Sequence, residues 1–239
     1  MSKAESIPKA KPAYSVKPAN KGYLLTRDGA VFVTPAGHNF IVPTQALADT
    51  IAEEWQGQDA KINPTQMPMT QFAVTALDIA SLERDAMISR VVAYAESELL
   101  CHRSGQPPEL FERQQNLWQP LLNWIAARFG ARLRVGTELM PIAQETTALV
   151  LLRNTVAACD DFHLTGLQQA VTISGSLVLG LALAEQHLDP NAVFFAAELE
   201  QLFQMEKWGD DPATTNRHET IKQELNCCGR WFKLIKADG

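Results

Sequence analysis

Asn63-Pro64-Thr65-Gln66-Met67-Pro68-Met69 decides how the chain is organised. Each of its two prolines removes a backbone donor and clashes with the preceding helical turn, so no helix runs through it. It reads as a linker or an extended strap, and the patterning differs on its two sides. A domain boundary belongs here: residues 1–21 as a flexible tail, 22–66 as a small α/β domain and 67–239 as a larger helical domain.

Upstream of the strap, Tyr23-Leu24-Leu25-Thr26 and Ala30-Val31-Phe32-Val33 flank Arg27-Asp28-Gly29. Asp-Gly between β-rich runs predicts a hairpin. Thr34-Pro35-Ala36-Gly37 then turns the chain into Phe40-Ile41-Val42. Thr44 is placed to cap a helix in which Leu47, Ile51 and Trp55 recur every fourth residue, ended by Gly57. The first twenty-odd residues carry Lys, Pro, Ala and Ser without the apolar core of a secretion signal, as a solvated tail does.

Downstream, nearly everything predicts helix. Thr70 is positioned to cap a segment with Phe72, Ala76 and Ala80, and Ile88, Val91, Val92 and Ala95 mark another. Gly105 and Pro107-Pro108 interrupt the pattern, and Trp118, Leu122, Ile125 and Phe129 then form an apolar stripe up to Gly130. Pro120 within that stripe predicts a new helix or a kink. Leu133 and Val135 alternate with arginines as a short strand would. Helical patterning resumes over 144–159, 165–187 and 190–208. After Asp211-Pro212, a last helix sets Ile221, Leu225, Cys228, Phe232 and Ile235 in a narrow apolar seam. The fold class expected is α+β, mainly α: a small N-terminal α/β domain with a β hairpin, then a helical, orthogonal bundle-like domain.

Composition narrows the function. Among 239 residues, 46% are hydrophobic, enough for a sizeable core. Up to Arg27 six Lys or Arg stand against Glu5 alone, so this segment carries +5 and the remainder −11 of the net −6. An acidic body disfavours nucleic acid and anionic membrane as partners. Residues 164–184 hold no formal charge, but Gln168, Gln169, Thr172, Ser174 and Ser176 interrupt them. The apolar run falls short of the roughly 20 residues that span a bilayer, and reads as a buried helix. Ser176 and Gly180, one turn apart, would let another helix approach closely. Cys101, Cys159, Cys227 and Cys228 show no CxxC spacing and read as reduced, apolar residues, with no metal site.

Catalytic motifs are sought without success. His218-Glu219-Thr220-Ile221-Lys222 lacks the second histidine of a zincin helix. Gly175 and Gly180 have P-loop spacing, but Leu181 and Ala182 stand where Lys and Ser/Thr would meet phosphate and magnesium. Asp160-Asp161-Phe162-His163 and His187-Leu188-Asp189 fall at expected helix ends, where capping is the ordinary role. The unusual stretch is Glu198-Leu199-Glu200-Gln201-Leu202-Phe203-Gln204-Met205-Glu206-Lys207-Trp208-Gly209-Asp210-Asp211, which carries a net −4 beside a tryptophan. It reads either as a solvated helix face closed by glycine or as a recognition surface.

One resemblance bears on that choice. The run from Thr44 through Glu54-Trp55-Gln56-Gly57-Gln58, followed by Ile62-Asn63-Pro64, Met67-Pro68-Met69-Thr70 and Ala76-Leu77-Asp78, resembles the α-subunit assembly chaperones of the F-type ATP synthase. So do Glu98-Leu99-Leu100-Cys101-His102-Arg103, Trp118-Gln119-Pro120-Leu121-Leu122 and Gln204-Met205-Glu206-Lys207-Trp208-Gly209, so that nearly the whole chain after the tail is covered. The family often has Asp at the places of Glu98 and Gln119, and Tyr at that of His102.

The resemblance implies a chaperone, not an enzyme, that binds the new α subunit until the β subunit replaces it, with no cofactor. An unassembled subunit exposes apolar contact surface, and masking that surface suppresses aggregation. The Gln-x-x-x-Trp-Gly motif carries over to Gln204, Trp208 and Gly209. Glu206 or Glu200 is then expected as the charged anchor, with Trp208 as anchor or support and Asp210 beside them. Trp55 and Met67 are further candidates, with packing between helix and strap as their alternative role. The chain is expected to be monomeric when free, in bacterial cytoplasm, or in the mitochondrial matrix if the source is eukaryotic. Two competing readings are a helical enzyme or ligand-binding protein with an interdomain pocket lined by Asp160, His163 and His187, and a constitutive structural subunit.

Overall fold

The computed structural model describes residues 11–59, 61–137, 142–209 and 211–236. It is α+β and mainly α: a four-stranded antiparallel sheet is followed by helices. The strands are β1 (Tyr14–Ala19), β2 (Gly22–Arg27), β3 (Ala30–Val31) and β4 (Ile41–Val42). β2 pairs with β1 along its whole length, from Tyr14 opposite Arg27 to Ala19 opposite Gly22. Its other edge is shared by β3 and β4. Asp28 and Gly29, at φ of 51° and 81°, make the expected tight hairpin turn. β1 lies within the stretch expected to be tail. Tyr14 explains why: its ring packs against Phe32 and Trp55, 5.7 and 5.6 Å away, contacts that a charge-and-proline reading of the tail does not reveal.

Helix α1 (Gln45–Gln56) begins at Thr44, whose hydroxyl accepts from Leu47 N and donates to Leu234 O. One N-cap thus fastens the first helix to the last. Glu54 then turns its carboxylate onto the next helix, α2 (Pro68–Thr75). It accepts from Met69 N at 2.9 Å, Thr70 N at 2.8 Å and Thr70 Oγ1 at 2.7 Å. Thr70 is therefore inside the helix and capped by Glu54, rather than itself the cap. Pro68 sits at the first helical position, where no donor is needed. The strap before it is a short 3-10 turn, Pro64–Gln66.

The helical body comprises α3 (Arg84–Glu96), α4 (Pro108–Phe129), α5 (Thr146–Ala157), α6 (Asp161–Ser174), α7 (Leu177–Ala184), α8 (Pro190–Ala197), α9 (Leu199–Trp208) and α10 (Pro212–Ile235). Several differ from the patterning. Pro120 starts no new helix but lies inside α4, because one missing donor in a 22-residue helix is outweighed by the burial of Trp118, Leu121, Leu122 and Ile125. Leu133 and Val135 form no strand; the described residues there contribute only an isolated bridge between His102 and Gly136. The segment 165–187 is two helices, not one. Gly175 takes the left-handed conformation at φ 68° and Ser176 caps α7 through Leu179 N. Likewise 190–208 divides at Glu198 into α8 and α9.

α7 is the centre of the body. Leu177 to Leu183 are all buried, and α3, α4, α6, α8 and α10 pack around the helix. At Gly180 a Cβ would lie 2.4 Å from Val171 Cγ2, the close approach its spacing from Ser176 predicted. The N-terminus of α7 receives the carboxylate of Glu98, which is 1% exposed. Glu98 accepts from Ser176 Oγ, from Leu177 N at 3.0 Å, from Val178 N at 3.2 Å and from Leu100 N at 3.3 Å. Burial pushes its pKa up to about 7, against the pull of these four donors. The apolar core is continuous from Leu25, Phe40 and Val42 in the sheet to the expected seam Ile221, Leu225, Cys228, Phe232 and Ile235 on α10.

Two outcomes follow from this packing. Gly180→Val should destabilise the protein by about 1–3 kcal/mol in urea unfolding, because Val171 has no space to retreat. Glu98 holds its proton in the folded state to about pH 7 but loses it near pH 4.5 when unfolded. The folded protein therefore binds more protons between these values, and its stability should fall as pH rises through that window. Glu98→Gln should flatten that slope; parallel pH profiles of the two proteins would refute the assignment.

Candidate interaction groove

The residues singled out from sequence fall in two separate places. Glu200, Gln204, Glu206, Trp208 and Gly209 lie on or at the end of α9, whereas Trp55 and Met67 line a cavity beside the sheet. Asp210 lies outside the described residues.

α9 rests mainly on α4 and α8, at the edge of the body. Its inner side buries Leu199 and Phe203. Between α9 and α4 runs an open groove of about 690 Å³, lined by Leu117, Phe195, Leu199, Leu202 and Met205, with Asn116, Arg113 and Glu206 at its polar side. Phe195 is 54% exposed and Trp208 is 79% exposed. Isolated exposed apolar side chains are ordinary, but a lined apolar groove with aromatic residues beside it marks a surface suited to a partner.

Part of the acidic character of this stretch is offset locally. Glu206 meets Arg113 Nη1 at 2.8 Å, and Lys207 Nζ meets Glu109 at 2.7 Å. Each hydrogen bond holds the carboxylate, Glu206 or Glu109, below its usual pKa range. Arg113 and Lys207 also lie over the Phe203 ring, at 5.1 and 5.3 Å. Glu200 accepts from Gln114 Nε2 at 2.6 Å, and Gln114, fully buried, also accepts from Ser104 N. Asp211 caps α10 through Ala213 N and Thr214 N. Glu198 is buried, with Arg217 at 2.6 and 2.9 Å and His218 Nε2 at 3.2 Å. The site is therefore an apolar groove with two ion pairs on its rim.

Sequence reading missed the α4 half: Glu109, Arg113, Gln114 and Leu117, together with Phe195. Nothing local signals them, since Arg113 and Glu206 are 93 residues apart.

The second place is a cavity of about 570 Å³, lined by Phe32, Val33, Phe40, Trp55, Met67 and Val74 among others. Met67 is 2% exposed. Trp55 packs on Phe32 at 4.9 Å, and its Nε1 is buried without a partner. One wall is pinned by Asp78, which accepts from Thr34 Oγ1, Ala36 N and His38 Nδ1.

The residues of the pocket reading are not brought together. Asp160 and His163 border a third cavity, of about 640 Å³, with Cys159 and Glu185. His187 instead stacks on Trp124 at 4.5 Å. Asp160 caps α6 and accepts from His163 Nδ1 at 2.8 Å. Burial pushes the Cys159 thiol up to about 11, the opposite of what activates a nucleophile. Among the described residues, no group of three or more His, Cys, Asp or Glu could hold a metal ion, and no helix is long and apolar enough to cross a membrane.

Comparison with known proteins agrees with this architecture. The family model described as ATP12 chaperone protein matches residues 10–126, a span that includes Trp55, Met67 and Arg113 but ends before α9. The crystal structure of Atp12 from Paracoccus denitrificans superposes with a TM-score of 0.90 at 31% identity, covering 94% of this chain and 96% of that one. An Asp-to-Lys variant of the Paracoccus protein matches with the same figures. The Atu1473 protein of Agrobacterium tumefaciens gives 0.86 at 28% identity, over 93% of this chain and 84% of its own. With identity carried across almost the full length of both chains, this protein belongs to the ATP12 chaperone protein family, the chaperones of ATP synthase assembly.

Proposed function

We propose that this chaperone binds the unassembled α subunit of the F-type ATP synthase through the α4/α9 groove and yields it to the β subunit. The observation that carries the reading is the groove itself: apolar, open, lined by the exposed Phe195 and by a helix that ends in the exposed Trp208, on a family member built for assembly. The client side is a surface that later becomes a subunit contact, which is apolar and aggregation-prone while unpaired.

Binding must be reversible for assembly to proceed, and a groove of moderate size with solvated ion pairs at its rim suits moderate affinity. Trp208 and Phe195 act as anchors that enter the client surface, and Gln204, exposed beside them, contributes polar contacts. Trp55 and Met67, in the cavity near the sheet, support the fold of the strap and offer a second contact. The protein works by holding rather than by catalysis, as a monomer, in the bacterial cytoplasm or, for a eukaryotic source, the mitochondrial matrix.

Co-expression with the α subunit and, separately, with β, followed by gel filtration, tests this reading. A soluble complex is expected with α and none with β. Trp208→Ala should weaken the α complex by about 2 kcal/mol, roughly thirtyfold, as loss of an interface anchor does. The thermal midpoint should stay close to wild type, because Trp208 is 79% exposed and supports little of the core. Failure of α to bind, under conditions where α alone is soluble, would remove the α subunit as client.

A further inference from the structure

The Glu206 carboxylate, expected from sequence to anchor the client, is occupied within the chain. Arg113 Nη1 lies 2.9 Å from one of its oxygens and 2.8 Å from the other, so a single cation covers both. One position along α9, Lys207 reaches back to Glu109 on α4, one turn before Arg113. The two ion pairs run in opposite senses, one cation from each helix, and both cations lie over the same buried Phe203 ring. α9 has few other supports, since α4 and α8 are its main neighbours. Glu200 accepts a hydrogen bond from the neutral Gln114 amide on α4. Among the described residues of the groove, no carboxylate stands without a partner, whereas its floor is formed by Leu117, Leu199, Leu202 and Met205.

We propose that Glu206 is a positioning residue: paired with Arg113, it clamps α9 against α4 and keeps the groove in shape for an apolar segment of the client, without itself touching the client. This rests on the groove being the docking site proposed above. It changes the partner chemistry expected from the sequence. The matching client surface is apolar and needs no basic residue opposite Glu206. Charge reversal at Glu206 then acts by repelling Arg113 and loosening α9, not by repelling the client.

The two roles separate in a charge swap. Wild type, Arg113→Glu, Glu206→Arg and the double variant are compared for binding to the α subunit and, independently of any client, for binding of an uncharged apolar dye to the groove. Each single reversal is expected to weaken α binding roughly fivefold or more, since it removes a surface ion pair and adds a like-charge contact. The swapped pair should return to within about twofold of wild type, because ion-pair rescue restores an intramolecular clamp. Dye binding should follow the same order, with the two singles departing from wild type and the double matching it.

The inference is overturned if Arg113→Glu binds α normally while Glu206→Arg and the double variant both fail, which would put Glu206 in direct contact with the client. It is also overturned if all four proteins bind the dye alike. Should wild type not bind α at all, the choice of client is wrong, and the dye series still decides whether the clamp exists.

Discussion

α7 has no polar face to give to solvent, so other helices must surround it, and its N-terminal amides must find acceptors inside the protein. Glu98 supplies these acceptors from the far side of the core. A buried carboxyl group is expensive, and it is tolerated here because three donors of the α7 terminus and Leu100 N converge on it. The short turn Leu99–Cys101 is thereby fixed to the middle of the body, with α3 before it and α4 after it. The positions of α4 and α8, and hence the bed on which α9 lies, follow from that one junction.

A similar device joins the small sheet to the helices. Glu54 caps α2 across the strap, and the Thr44 hydroxyl reaches the last turn of α10. Such side-chain caps satisfy helix termini that tertiary packing has brought together, so the sheet and the helical body share one apolar core. The Trp55 cavity lies within this joined region, whereas α9 lies at an edge with few neighbours.

The chemistry of the groove is compatible with the temporary burial proposed above. Its apolar floor supplies the driving force for contact, and its charges are paired within the protein, so they need not be desolvated against a mismatched partner. Cations stacked on Phe203 cover an aromatic ring that would otherwise enlarge the exposed patch. The −4 counted along the α9 stretch is partly offset in the folded protein, where Arg113 and Arg217 meet Glu206 and Glu198.

Periodicity and punctuation alone determined most of the elements. The Asp28-Gly29 hairpin, the Thr44 cap, the Gly130 stop and the α10 seam each depend on residues within one turn or one strand pair, where local sterics and hydrogen bonding act without help. The motifs around Trp55, Met67 and the α9 terminus were enough to show the family resemblance. The tertiary structure decided the rest: that residues 14–19 join the sheet, that 165–187 breaks at Gly175, that Pro120 is accommodated, and that Glu206 pairs with Arg113. The Gly175 break is local, a left-handed glycine followed by the Ser176 cap, inside an uncharged run that masks it. The contacts of Tyr14 with Phe32 and Trp55 and of Arg113 with Glu206 join residues far apart in the chain, and a partner that distant leaves no trace in the spacing of its own segment.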